Sequence, residues 1–569
     1  MWMWLILLVT ADAKILLDST YVRLDRNGLR TYRHYKVEIL TERGRDTYGD
    51  VKVRYNNDKY EFNIIRAVTI LPDGREVEPE PKAIADVSPP EVYDAPMYAN
   101  LRMKVVTFPA LKPGAIIDYE YEIVPKKRPK ERPKLYGDVV FSEYEPIKKK
   151  VFVLEIPKDI TLYYNLKPNL YEDGDYTVYV WGYENIRKIK REPYSPSLRE
   201  IGPTLYYSEF SSWKELGDWL RDQFKTKGKP PQLNYNNIDE LVKYMKTDIR
   251  TVPISLEWTG FKPNPATKVY ANKYADSKDK VALFTTLVDN AYPVLVAPSL
   301  FSLDVKIATP SIFTKMMVAI EDEYGFRFED LADEFGDVGY TRYDGYIGLV
   351  VTAHDVKLVP IRNKVRSYEK LRFSGMIDTN GTLTGEFNCH FIGRTAADLR
   401  HTLRGKTVAE LRKWFEQRVA SIKPGCRLVG YEVDGLDTLL RGVTVKIEVE
   451  CPNYYIENSS LTIPAKILGT DVGRYFQLSK RSNRLTIYEG NRWEYTVTLY
   501  MEGFTPTYLP KKTVTTTAFE GKIRSEVKGG TIIWQEEGYI KRCMLCPCKY
   551  PEIREEVTSF LLNKWRIVM

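Results

Sequence analysis

Apolar and polar residues alternate with period two through much of residues 14–195. The runs KVEIL, DVKVRY, NIIRAVTIL, MKVVTF, AIIDYEYEI and KKVFVLEI each put their apolar side chains on one face of an extended chain. The turn signals LPDG (71–74) and KPG (112–114) punctuate them, so this stretch predicts an antiparallel β-sandwich. The period then changes. SSWKELGDWLRDQF (211–224) places Trp213, Leu216, Leu220 and Phe224 at helical spacing behind Ser211 and Ser212, either able to cap, and NIDELVKYMKTDI (237–249) repeats the signal. KDKVALFTTLV predicts a third helix leading into the strand AYPVLVA, while KMMVAIE (315–321) and GYIGLVVTA (345–353) predict two further strands. Helices followed by strands between about 200 and 360 make a compact α+β unit.

From 365 onward the strand period resumes. EKLRFSGMIDTNGTLTGEFNCHFIG predicts a hairpin turning at Asn380 and Gly381, and VTVKIEVE, RWEYTVTLYM and TIIWQEE continue the pattern. A helix over 408–422 carries Leu411, Trp414, Phe415 and Val419 on one side, as a helix packed on a sheet does. A short helix around EEVTSFLLNKW closes the chain. The expected fold is therefore multidomain α+β: a β-sandwich over 14–198, an α+β core over 199–362, and a β-rich unit with an inserted helix over 363–569.

Length and composition fit this division. A chain of 569 residues exceeds what one core serves, and 43% apolar with 28% charged residues excludes disorder. The net charge of +8 is spread thinly and does not build the field that nucleic-acid binding needs, so no nucleic-acid partner is expected. The densest basic run, KKRPKERPK (126–134), contains two prolines and reads as an exposed loop. The opening MWMWLILLVTADAK is too short to span a bilayer and ends in Ala11, Asp12, Ala13, which fits the remnant of a signal peptide cut after residue 13. The expected location is periplasmic or secreted, with no stable membrane span after processing.

Six cysteines, at 389, 426, 451, 543, 546 and 548, fall in the final third and permit disulfides without fixing their pairing. RCMLCPCKY clusters three of them, but the four histidines at 34, 354, 390 and 401 leave little to complete a metal site. A structural or disulfide role is expected, with no metal and no cofactor.

Several segments in order resemble a bacterial family of exported proteins. In that family an N-terminal DUF3857 β domain precedes a transglutaminase-like core and a C-terminal DUF3858 β-rich domain. The resemblance lies in FNIIRAVTILPDGREV (62–77), APMYANLRMKVVTFPALKPGAIIDYEYEI (95–123), SSWKELGDWL, FKPNPATKVYANKYADSKDKVALFTTLV, AADLRHTLRGKTVAELRKWFEQRV and the GFTPTYLPKK region, and it covers nearly the whole chain beyond the apolar start. It implies a papain-like core in which a cysteine at a helix N-terminus attacks a carbonyl, assisted by an imidazole that a carboxylate orients.

This sequence departs from that pattern where the chemistry sits. The family's Gly-Asp-Cys-Lys-Asp-Lys is matched by Ala275, Asp276, Ser277, Lys278, Asp279, Lys280, and the histidine position is matched by Lys315. For the third member, Glu329 or Asp330 in FRFEDL stands nearest. Ser277 with Lys315 as base would need a lysine pKa lowered by several units through burial. His354, beside Asp355, lies about forty residues beyond the expected place. Asp276, or Ser277, at a helix start explains the polar residues without catalysis. The expected function is thus non-catalytic: a binding or scaffold module for protein, peptide or glycan. The alternatives are a serine-based amidase or acyltransferase using Ser277, and a purely structural envelope component.

Overall fold

A computed structural model describes residues 11–129, 131–225, 230, 233, 235–297, 306–455, 461–464, 466–501, 509–563 and 566–567. The apolar start (residues 1–10) and most of the GFTPTYLPKK region (503–508) lie outside these residues. The chain is mixed α+β and rich in strands, arranged in several sheets.

The first unit is built on one eight-stranded sheet. Its alternating strands bury Val37, Ile39, Ile117, Tyr119, Leu154 and Ile156. Two three-stranded sheets are associated with it: Asp50–Asn56, Leu101–Thr107 and Ile84–Val87 form one, and Tyr163–Tyr164, Thr204–Ser208 and Tyr136–Val140 form the other. Val106 and Phe108 join the big sheet's Phe62 and Ile117 in one apolar cluster, and Leu205 and Tyr207 join its Phe152 and Trp181 in another. Two expectations need correction. The sheet is not wholly antiparallel, because the first strand, Ala13–Asp25, pairs in parallel with Ile147–Pro157. The unit also extends past residue 198, because Thr204–Ser208 returns to pair with Tyr136–Val140.

The central unit sets helices against a five-stranded sheet whose strands all pair antiparallel. Ser212 caps Trp213–Gln223 and Asn237 caps Ile238–Thr247, each side chain accepting the N–H three residues on. The helix Ser277–Leu287 connects through a short turn to the strand Ala291–Val296, so the two run antiparallel. That brings Ser277 to the same end of the layer as Val296, whose register partner is Lys315.

The last unit is a second eight-stranded sheet, again with one parallel pair, Tyr368–Ile377 beside Asn491–Met501. Gly381 takes φ +75° in the expected hairpin turn. The helix Val408–Ala420 has the expected buried Phe415 and Val419, and a preceding helix, Arg394–Leu403, was not anticipated. Buried polar contacts join the units. Arg400 Nη2 bonds Asp337 Oδ1 at 2.8 Å, and Glu192 accepts the N–H groups of Ser482 and Asn483.

Candidate functional site

The segment from Tyr274 to Lys280 is positioned before it becomes helical. Lys273 ends the preceding helix, Ala266–Asn272, with φ +58°, and Tyr274–Ala275 then pairs with Arg250–Thr251. Asp276 is the N-cap: its Oδ1 accepts the Asp279 N–H at 3.0 Å. The Asp276 N–H donates to the Tyr98 hydroxyl at 2.7 Å, and that hydroxyl donates to Asp279 Oδ2 at 2.6 Å. Asn264 adds two donors to Asp279, its backbone N–H and its Nδ2, both at 2.8 Å. Lys278 Nζ bonds Asp276 Oδ2 and lies 3.0 Å from Thr259 Oγ1.

Lys280 Nζ donates to the carbonyls of Met245 at 2.9 Å and Leu331 at 3.1 Å, and burial pulls its ammonium down to about 7. All four charged side chains from 276 to 280 are buried. Ser277 is half-buried, and its Oγ has no hydrogen-bond partner among the described residues. Among the described residues, every charged side chain of the motif is bonded within the fold and the serine hydroxyl is not.

At the same end of the sheet, Lys315 opens the strand Lys315–Asp322, and Asp330 follows the strand Gly325–Glu329 beside it. Lys315 Nζ lies 2.5 Å from Asp330 Oδ2, and the other carboxylate oxygen accepts the Ala332 N–H at 3.0 Å. Burial opposes the charge on Lys315, but attraction to Asp330 outweighs it and holds the ammonium above lysine's ordinary value. Between the two candidate acids, Asp330 pairs with Lys315. Glu329 is engaged by Arg327 Nη2 at 2.6 Å and the Gly339 N–H at 2.8 Å, with Lys246 Nζ 3.8 Å away. Burial raises the Glu329 pKa despite these cations.

His354 does not approach this end. It sits exposed in the turn after Ile347–Val351, not in a strand. Gly348 pairs with Val296, the partner of Lys315, and the chain runs away from there for six residues to His354, roughly 15–20 Å. Helix-borne Arg221 holds that turn through the carbonyl of Thr352 at 2.9 Å.

The sequence reading missed Tyr98, Asn264 and Thr259, the neutral partners of the motif. Tyr98 lies in APMYANLRMK, one of the segments quoted for the resemblance, but nothing local marks it as a contact across units. The cysteines form Cys426–Cys451 and Cys546–Cys548, with Cys389 and Cys543 free. One group of potential metal ligands occurs among the described residues: His34, Asp118 and Glu120. Asp118 Oδ2 already meets Lys36 Nζ and Arg66 Nε, each at 3.0 Å, and Glu120 Oε2 accepts the Tyr32 hydroxyl at 2.5 Å. These bonds make an ion-pair ladder on a sheet face. The basic loop is partly neutralised too, since Arg132 and Lys134 both pair with Glu209.

Residues 26–190 match the family model "Domain of Unknown Function with solved-structure structure (DUF3857)", so the first unit carries a DUF3857 domain. The whole chain resembles a crystal structure from Parabacteroides distasonis ATCC 8503 described as a "putative protease". The TM-score is 0.73 at 18% identity, over 98% of this chain and 99% of that one, a likeness of fold. Overlaps with an M1 zinc metallopeptidase from Deinococcus radiodurans (TM-score 0.20, 11% identity, 35% of this chain and 43% of that one) and with Legionella pneumophila aminopeptidase A (0.19, 10%, 35% and 21%) are too slight to bear on the fold. No curated protein matches the chain.

Proposed function

We propose that this protein is a non-catalytic, transglutaminase-like binding or scaffold module of the periplasm or extracellular space, taking a protein, peptide or glycan as partner. The observation that carries the reading is the Lys315–Asp330 ion pair. Where the resembling family has an imidazole, this chain has an ammonium whose charge is fixed by a carboxylate at 2.5 Å. An ammonium in that state accepts no proton from Ser277, and a neutral serine hydroxyl is a poor nucleophile without a base. The placement of Ser277, Lys315 and Asp330 at one end of the helix and sheet supports a transglutaminase-like ancestry for the core. The C-terminal unit takes the place of the family's DUF3858 domain.

The buried contacts between units favour a scaffold that holds its parts in fixed relation. Two disulfides support an oxidising compartment. Among the described residues no helix is long and apolar enough to cross a membrane. The protease description of the Parabacteroides protein stays with that protein, and in this chain the ion-paired Lys315 stands where the resembling family has its imidazole. Exposure of the purified protein to a serine-directed fluorophosphonate, followed by intact-mass analysis, tests the reading. No adduct is expected. An adduct that maps to Ser277 and vanishes in Ser277→Ala would replace the proposal with a serine-based amidase or acyltransferase.

A further inference from the structure

The two disulfides differ in what they can do for the fold. Cys426–Cys451 spans 25 residues and ends at a fully buried sulfur on the strand Val443–Cys451. Cys546–Cys548 spans only 2. The chain entropy that a cross-link removes from the unfolded state grows with the logarithm of the loop it closes, so the second bond offers little structural gain. It is also accessible: Cys548 is exposed and Cys546 half-buried.

Its surroundings hold it as a fixed apex. On one side Cys543–Leu545 pairs with Leu485–Ile487, and on the other Tyr550, fully buried, opens the helix Tyr550–Asn563 and bonds the Leu478 carbonyl at 2.8 Å. The Lys549 N–H returns to the Cys546 carbonyl at 3.2 Å, and Pro547 between the cysteines removes both a donor and a rotatable φ. The flanks are anchored without the disulfide, so breaking it leaves the turn in place. Cys548 stands just ahead of the helix N-terminus, exposed, with Lys549 next in the chain.

We propose that Cys546–Cys548 is an exchange-competent disulfide that accepts two electrons from a dithiol partner. A thiolate of the partner attacks Cys548 Sγ, the Cys546–Cys548 bond breaks, and the electron pair leaves on Cys546 Sγ, which takes up a proton. The partner's second thiolate then attacks its own sulfur in the mixed disulfide. The partner leaves oxidised, and Cys548 departs as a thiolate. Cys543 takes no part: it is half-buried in the strand pair, and burial pushes its thiol up to about 11. The site is independent of Ser277 and of the function proposed above.

The test equilibrates the full-length protein in glutathione redox buffers, quenches it with acid and alkylates it for peptide mass spectrometry. Cys546–Cys548 is expected to reach half-reduction at a [GSH]²/[GSSG] ratio at least about 100-fold lower than Cys426–Cys451, since exposed exchange disulfides sit well above buried structural ones in potential. The Cys543→Ser variant is expected to titrate within about threefold of the parent. Hydrogen exchange across Tyr550–Asn563 is expected to be unchanged once only this bond is reduced. The proposal is overturned by reduction of both disulfides together, by a Cys543→Ser midpoint shifted more than about tenfold, or by loss of protection in the helix.

Discussion

The start of the helix Ser277–Leu287 and the start of the strand Lys315–Asp322 lie at one end of the same layer, and they treat their charges in different ways. At the helix start four charged side chains are buried, each held by bonds that cross to other elements: Tyr98 from the β domain, Thr259 from the short helix Leu256–Thr259, Asn264 from the loop after it, and carbonyls from two distant segments. At the strand start a single lysine meets a single carboxylate. Lys280, held by carbonyls, is brought down to about 7, while Lys315, held by a carboxylate, is driven up. Packing alone therefore accounts for the charged residues around Ser277. The two acids meet Tyr98 of the first unit, while the lysines are held inside the central unit.

Substitutions can separate the two roles. The largest effect is expected for Asp279→Ala, which takes the shared acceptor from the Tyr98 hydroxyl and from both Asn264 donors in a buried site. A loss of about 3–5 kcal/mol in urea unfolding is expected. Tyr98→Phe removes the hydroxyl that bridges the Asp276 N–H to Asp279, and about 1–3 kcal/mol is expected by the same measurement.

Lys280 gives a pH signature. Its folded value of about 7 lies below the ordinary lysine value of 10.5, so between these limits the unfolded chain holds the proton and the folded chain does not. Stability contributed by this group therefore rises with pH across that window, by up to about 1.4 kcal/mol per unit, and the penalty for burying its charge is fully present below pH 7. The difference between the parent and Lys280→Met, followed by urea unfolding from pH 7 to 9, is expected to show that slope. The smallest effect belongs to Ser277→Ala, within about 0.5 kcal/mol, because no bond is lost. A large destabilisation there would erase the contrast between serine and its neighbours.

Much of the fold was legible from local signals. Period-two runs became strands, Ser212, Asn237 and Asp276 became caps, and Asn380-Gly381 became a hairpin turn, because each depends on residues a few positions apart. What escaped was non-local or poorly patterned. No property of Ala13–Asp25 announces a parallel partner more than a hundred residues away, nor does Thr204–Ser208 announce its return to the first unit. The helix Arg394–Leu403 hides because its buried face includes Thr395 and Arg400 among alanines and leucines.

At the candidate site the sequence identified Ser277, Lys315 and the pair of candidate acids, but two carboxylates adjacent in a chain cannot be told apart without the sheet register that sends Asp330 to Lys315. The burial of Lys246, Lys278 and Lys280 was equally hidden, since the carbonyls, hydroxyl and carboxylates that satisfy them come largely from elsewhere in the fold.

The proposal that the core around Ser277 is transglutaminase-like but non-catalytic is tested most directly by amine incorporation into a glutamine-containing acceptor. The parent protein, Ser277→Cys, and Ser277→Cys combined with Lys315→His are compared side by side. The account predicts no incorporation by the parent, none above background by Ser277→Cys alone, because Lys315 remains paired with Asp330, and measurable turnover only in the double replacement. Incorporation by the parent that disappears in Ser277→Ala would contradict it.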